Sequence, residues 1–436
     1  MALLTPLSLT SMEEFVAVQQ ATARKLIDVA VAQTGTSPDD WVVRNTMPAG
    51  SGTGPASGPA NTATPDFQVS SAWDVQTTQG GWDLSVDGLT QPSTAWVAAN
   101  SGNTTVSDQQ FHGVFGWWED AKHEGVADQE ANGGAQQPMT QGWRFVSGAS
   151  TLDIFWGEGQ HISSEAVGGI TKTPVIFTQN SNMSLEIWLN EPQKDGSAVT
   201  GHHACGLFML TCERVGETIS TPGIHTTVPM GIVTGSAFQA RQSEVARNLL
   251  NLASSKTGTP VSDWIVRPMI LDDNDANAPL SNMDLTGDGD VYGGGTIAGA
   301  GWHADSGQIG HAAWETVLTD TTVPDQKFMA CFGGFESPVA GNAAAGNAVS
   351  GNIACWALQS GSQTSSFMYV GDQYAWANQW GFLMNKAVYW EQNSTINFKV
   401  VGKASSKQFF DSTTGLYVLV AEKVGENISA TKISRA

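Results

Sequence analysis

Charge is what this 436-residue chain has least of: Asp, Glu, Lys and Arg together make 14% of it, against about a quarter in an average soluble domain. The few charges are also unbalanced, 41 acidic against 20 basic for a formal net charge of −21. Such a field repels phosphate backbones and anionic lipid headgroups, which excludes nucleic acid and membrane surfaces as expected partners. Cysteine is scarce in absolute number, at four residues. Cys205, Cys212, Cys331 and Cys355 show no CxxC spacing, so neither a disulfide framework nor a zinc site is expected. Cys205 and Cys212 lie seven apart in a run that reads as strand, which puts them on opposite faces and about 23 Å apart. No stretch reaches the roughly 18 consecutive apolar residues of a membrane helix. The start, MALLTPLSLTSMEEF, has neither the basic nor the long apolar region of a Sec signal.

Catalytic words are missing too. There is no HExxH, no GxSxG and no Walker loop, and the eight histidines are scattered, so no nucleophile or metal constellation can be assembled. WLNEP (188–192) resembles the Asn-Glu-Pro at the acid/base position of many retaining glycosidases on (β/α)₈ barrels. The resemblance covers three residues, and the alternating strands and helices of a barrel are absent. Glu191 reads more simply as a strand-end residue before a Pro turn. Asp153 and Glu158, five apart on a strand, face opposite ways and form no carboxylate pair. The chain is therefore expected not to be an enzyme and to need no cofactor.

What is present is a repeat. TGTSPDDWVVR (34–44) returns as TGTPVSDWIVR (257–267), and residues 15–44 set against 238–267 agree at 14 of 30 positions. GLFMLTCERVGETIS (206–220) returns as GLYVLVAEKVGENIS (415–429) with 9 identities in 15. QNS recurs at 179–181 and 392–394, and GW at 81–82 and 301–302. The offset falls steadily from 223 to 209 while the order of landmarks holds, as one domain copied in tandem gives once its loops diverge. The expected domains are 1–222 and 223–436, joined near the TPG at 221–223.

Each copy opens with an apolar-striped helix. In the first, Ser11 and Glu14 form a capping box and Gly35 supplies the stop; the second is expected from about Ser236 to Gly258. Short strands fill the rest, among them STLDIFWG, TPVIFTQ, MSLEIWLNE and CGLFMLTCERV in the first copy. In MSLEIWLNE, Leu185, Ile187 and Leu189 alternate with Glu186 and Asn190, the pattern of a half-buried strand. The fold class expected is mainly β: two tandem homologous antiparallel β-sandwiches, with a jelly roll as one such arrangement, each opened by one α-helix.

Within this frame Trp41, Arg44, Trp264 and Arg267 are expected as repeat anchors, the tryptophans fixing helix to sheet and the arginines meeting an acidic group or exposed carbonyls. Asp284, Thr286, Asp288 and Asp290 in DLTGDGDVYGGG resemble positions 1, 3, 5 and 7 of an EF-hand-type or dockerin-type calcium loop, although Gly295 stands where the bidentate Glu belongs. They are the one candidate Ca²⁺ site. Sixteen tryptophans are many, and Trp117, Trp118, Trp156, Trp376 and Trp380 stand beside acids and amides, a composition shared by sugar-stacking faces and by subunit interfaces. Composition and architecture together lead to an expected non-enzymatic assembly protein, a homo-oligomer contacting other virion proteins as a capsid, decoration or tail component of a bacteriophage or related virus, located in the virion. The alternative is a carbohydrate-binding or receptor-binding adhesin with a glycan as partner.

Overall fold

The computed structural model describes residues 3–46, 82–83, 95–98, 104–120, 140–157, 166–189, 204–269, 302–305, 315–338, 353–361, 363–369, 381–402 and 411–425. Helix α1, Met12–Thr34, begins where the Ser11 side chain accepts the Glu14 N–H and ends where Gly35 turns left-handed at φ 71°, the conformation glycine adopts at no steric cost. Helix α2, Gly235–Thr257, has the same length and stops at Gly258 with φ 70°. Its N-cap is Thr234, which accepts from Ala237 N, so the helix starts at Gly235, one residue before the expected Ser236. Thr234 is the residue 223 positions after Ser11, and a hydroxyl at that place caps both helices.

Eight principal strands follow α1: β1 Trp41–Thr46, β2 Val97–Ala98, β3 Phe111–Asp120, β4 Thr140–Ser147, β5 Ser150–Trp156, β6 Val167–Phe177, β7 Asn182–Leu189 and β8 Ala204–Arg214. They form two antiparallel sheets in the orders β1-β8-β3-β6 and β2-β7-β4-β5. Two facing sheets with this strand order make a jelly roll. After Gly223–His225 (β9), a second set repeats it: β10 Trp264–Met269, β11 Glu315–Thr322, β12 Lys327–Pro338, β13 Ile353–Ser360, β14 Gln363–Tyr369, β15 Gly381–Trp390, β16 Thr395–Gly402 and β17 Asp411–Lys423. The orders are β10-β17-β12-β15 and β11-β16-β13-β14.

Each copy thus has three layers, a helix on a large sheet on a small sheet, with two cores. Between the first copy's sheets lie Val114, Trp117, Trp143, Phe145, Leu185 and Ile187; between α1 and the large sheet lie Phe15, Leu26, Ala30, Trp41, Phe115 and Trp118. In the second copy Trp356, Phe382 and Phe398 fill the first position, and Leu249, Ala253, Trp264 and Phe328 the second. Leu185 and Ile187 point inward while Glu186 lies half-buried on the other face, the alternation that one wet face requires.

The duplication reaches positions where sequence identity is thin. Each large sheet has a glycine where two strands close up: a Cβ on Gly116 would sit 2.4 Å from Gly169 O, and one on Gly333 2.3 Å from Phe382 O. The repeated QNS is a turn. Asn180 and Asn393 take φ of 59° and 63°, and the side chains of Gln179 and Gln392 accept from the backbone N–H of Gln109 and Gln326. Asn is among the few residues that tolerate this left-handed geometry.

Candidate functional site

The repeated arginines have found their acids. Arg44 donates from Nε to Glu213 Oε1 at 3.0 Å and from Nη2 to Glu213 Oε2 at 3.1 Å, with side-chain exposures of 1% and 0%. Arg267 meets Glu422 in the same bidentate way at 2.9 and 3.2 Å, and Lys327 Nζ stands 3.9 Å from the second oxygen. These pairs lie on neighbouring strands of the large sheets and tie the two repeated sequence motifs together. Trp41 and Trp264 are fully buried. Each indole donates to a threonine hydroxyl just beyond the helix end, Trp41 to Thr36 at 2.8 Å and Trp264 to Thr259 at 2.7 Å, and each ring meets a phenylalanine edge-on, Phe111 or Phe328. Trp41, Arg44 and Trp264 therefore sit inside the frame, and Arg267 lies there with a 14% exposed edge.

Other predicted aromatics fall elsewhere. Trp117 and Trp118 are wholly buried, one between the sheets and one beneath α1. A ring with no exposed face stacks on no sugar and meets no neighbouring subunit, so the reading of these two as glycan or interface residues is corrected: alternation along β3 sends one ring into each core. Trp376, Trp380 and the calcium candidates Asp284, Thr286, Asp288 and Asp290 lie outside the described residues, as do Glu158 and Glu191. Among the described residues no group of three His, Cys, Asp or Glu is arranged to hold a metal, and no helix is long and apolar enough to cross a membrane. Cys212 and Cys331 are free and buried, and burial raises both thiols far above their ordinary range, leaving them inert as nucleophiles.

Trp156 has a different setting. It lies half-buried on the outward face of the first copy's small sheet, its ring centroid 5.4 Å from that of Trp96, which is 5.6 Å from Trp188. Arg144 covers Trp96 at 5.1 Å and is salt-bridged to Glu186 across the strand pair. Gly142 makes room: a Cβ there would come within 3.0 Å of Trp156 and 3.4 Å of Trp96. At the equivalent positions the second copy has Cys355, Ala357, Tyr369, Lys399 and Val401. The same strands form without the cluster, so the fold does not require it.

The second extensive site lies where the copies meet. Strand β9 adds itself in parallel to the free edge of β1. Gln19 of α1, fully buried, donates to Thr227 O at 3.0 Å and accepts from Asn385 Nδ2 at 2.9 Å; Asn385 also donates to Thr226 Oγ1 at 2.7 Å, and Thr227 N to Asn45 Oδ1 at 2.9 Å. Ser220 N donates to Thr364 O of β14, and Ala357 and Val228 join the apolar cluster under α1. At the rim Lys386 Nζ donates to Pro222 O at 2.8 Å and stands 3.3 Å from Nε2 of His225. Burial, then the lysine charge, lowers His225 to about 4. The single-sequence reading missed this junction because Gln19 and Asn385 carry no motif.

No protein-family description and no curated protein matches the chain. Among solved structures, the tandem CBM51 modules of Sp3GH98, the family 98 glycoside hydrolase from Streptococcus pneumoniae SP3-BS71, are similar at 9% identity over 74% of this chain and 80% of that one, with a TM-score of 0.19.

Proposed function

We propose that this chain is a non-enzymatic structural protein that assembles with copies of itself, in the setting of a virion shell or tail. The observation that carries the reading is the junction: two like jelly rolls bind side by side through a buried polar seam in which Gln19 is fully covered. A unit that packs against its own likeness within the chain has the surface chemistry to do so between chains. Jelly rolls serve in viral capsids and in lectins, and the choice of a virion rests on that analogy of architecture together with the low charge of the chain. The test is direct. The purified protein, concentrated and viewed by negative-stain microscopy and light scattering, is expected to form rings or lattices of fixed symmetry. A chain that stays monomeric at all concentrations would sink the proposal.

One observation favours a second reading, glycan recognition: the half-buried trio Trp96, Trp156 and Trp188 on an outward face, present in one copy and dispensable for the fold. Flat indole rings flanked by an Arg–Glu pair offer stacking and hydrogen bonds to a pyranose. Saturable binding on a glycan array, lost in Trp156→Ala at unchanged melting temperature, is the expected result under this reading; an array without signal would dismiss it.

A further inference from the structure

The internal junction uses one face of each copy, and the duplication makes the unused faces identifiable. The first copy offers the flank of α1 and the edge of β1; the second offers the segment at Thr226–Thr227, the irregular stretch of β15 at Asn385, and the outer side of β13 and β14. Left over are the first copy's equivalent of the docking face and the second copy's equivalent of the receiving face.

Both leftovers bear marks of an absent neighbour. Position 226, buried to 1% at the junction, corresponds to Leu3, which is 89% exposed. Ile232, packed against the cluster under α1, corresponds to Leu9, exposed to 64%. Ser365, beside the junction residue Thr364, corresponds to Leu152, again exposed. Among the described residues, three of the five exposed large apolar side chains therefore stand on the first copy where the second copy makes its contacts; one such side chain alone is ordinary on a surface, and these are informative because all three map to junction positions. On the receiving side, α1 buries seven residues and the equally long α2 only three. Gln242, partly exposed, stands where Gln19 is sealed. The polar link has a substitute as well: Lys172, 80% exposed, occupies the place of Asn385 and can donate to the Gln242 amide oxygen as Asn385 does to Gln19. Several contacts are not copied: Asn45 is replaced by Pro268, the Thr226 hydroxyl by the apolar Leu3, and Lys386 by Thr173.

Resting on the assembly reading above, we infer that chains associate head to tail: the first copy's face bearing Leu3, Leu9, Leu152 and Lys172 docks on the second copy's α2 flank at Gln242 of the next chain, repeating the internal junction. Such a heterologous contact generates a closed ring or an open filament according to the rotation per chain. Cysteines placed by Lys172→Cys and Gln242→Cys, treated with a short bismaleimide, are expected to link chains into a covalent ladder. Each single variant and the wild-type chain, whose four cysteines set the background, are expected not to. The pair Gln19→Cys with Asn385→Cys, linked within one chain, calibrates the reagent. Leu3→Asp, Leu9→Asp and Leu152→Asp together, all at solvent-exposed sites, are expected to abolish assembly without lowering the melting temperature. A protein that assembles yet shows no 172–242 ladder, or assembles normally with the three aspartates, would overturn the head-to-tail arrangement and leave the assembly reading standing; a permanently monomeric protein would overturn both.

Discussion

Arg44 and Glu213 face each other across strands β1 and β8 in a bidentate pair that water does not reach. Removing one partner of such a pair leaves the other charge buried and uncompensated. Glu213→Gln is therefore expected to cost about 3–5 kcal/mol, read as a fall in the denaturation midpoint. Glu422→Gln leaves two cations without their shared acid, Arg267 at 14% exposure and the buried Lys327 at 8%, and should cost a comparable amount. A loss confined to one of the two variants would contradict this expectation.

The close strand crossings give a second expectation. A methyl at Gly116 or Gly333 would meet a backbone carbonyl oxygen at 2.4 or 2.3 Å, which no side-chain rotation relieves. Gly116→Ala and Gly333→Ala should each destabilise by about 1–3 kcal/mol, whereas alanine at Gly235, with open space around its Cβ site, should be near neutral. Thermal melts of the three variants side by side settle the comparison.

Acidification should loosen the junction. His225 titrates near 6.5 when unfolded and is lowered to about 4 in the folded chain, so its contribution is fully present above pH 6.5 and is lost as pH falls toward 4. The loss is on the order of 3 kcal/mol. In His225→Gln the slope of stability against pH across this window should flatten. An unchanged slope would show that other groups govern it.

The polar seam itself can be weighed by a double-mutant cycle. Gln19→Ala and Asn385→Ala touch one hydrogen bond from its two sides, and their effects should couple by about 0.5–3 kcal/mol. Simple additivity would mean that the copies are held by β9 and the apolar contacts alone.

How much of this could be read from the letters differs by feature. The helices were legible because Ser11, Gly35 and Gly258 are caps with their own local chemistry, and the repeat was legible because matched landmarks survive in order. Strand β3 was not. FHGVFGWWED carries Gly113 and Gly116, residues that weaken a strand interior, yet Gly116 is there because only a residue without Cβ lets β3 and β6 close up. Its paired tryptophans suggested a surface, while alternation sends them to opposite cores. The arginine partners were within reach: Glu213 and Glu422 stand in the one other strongly repeated stretch, and an acid kept in both copies beside an arginine kept in both is a pair that asks to be tested. Gln19, Asn385 and the Trp96 face lay beyond reach, because each depends on segments more than fifty residues apart meeting at one place.

Strand β9 has a consequence for any attempt to divide the protein. It belongs to the connection between the copies and yet completes the first copy's large sheet, lying parallel to Val42–Arg44. A first copy cut off at residue 222 would end in an open ladder of backbone donors and acceptors, an invitation to pair with strands of other molecules. Insolubility of that fragment would report a missing hem and say little about the fold of the cloth.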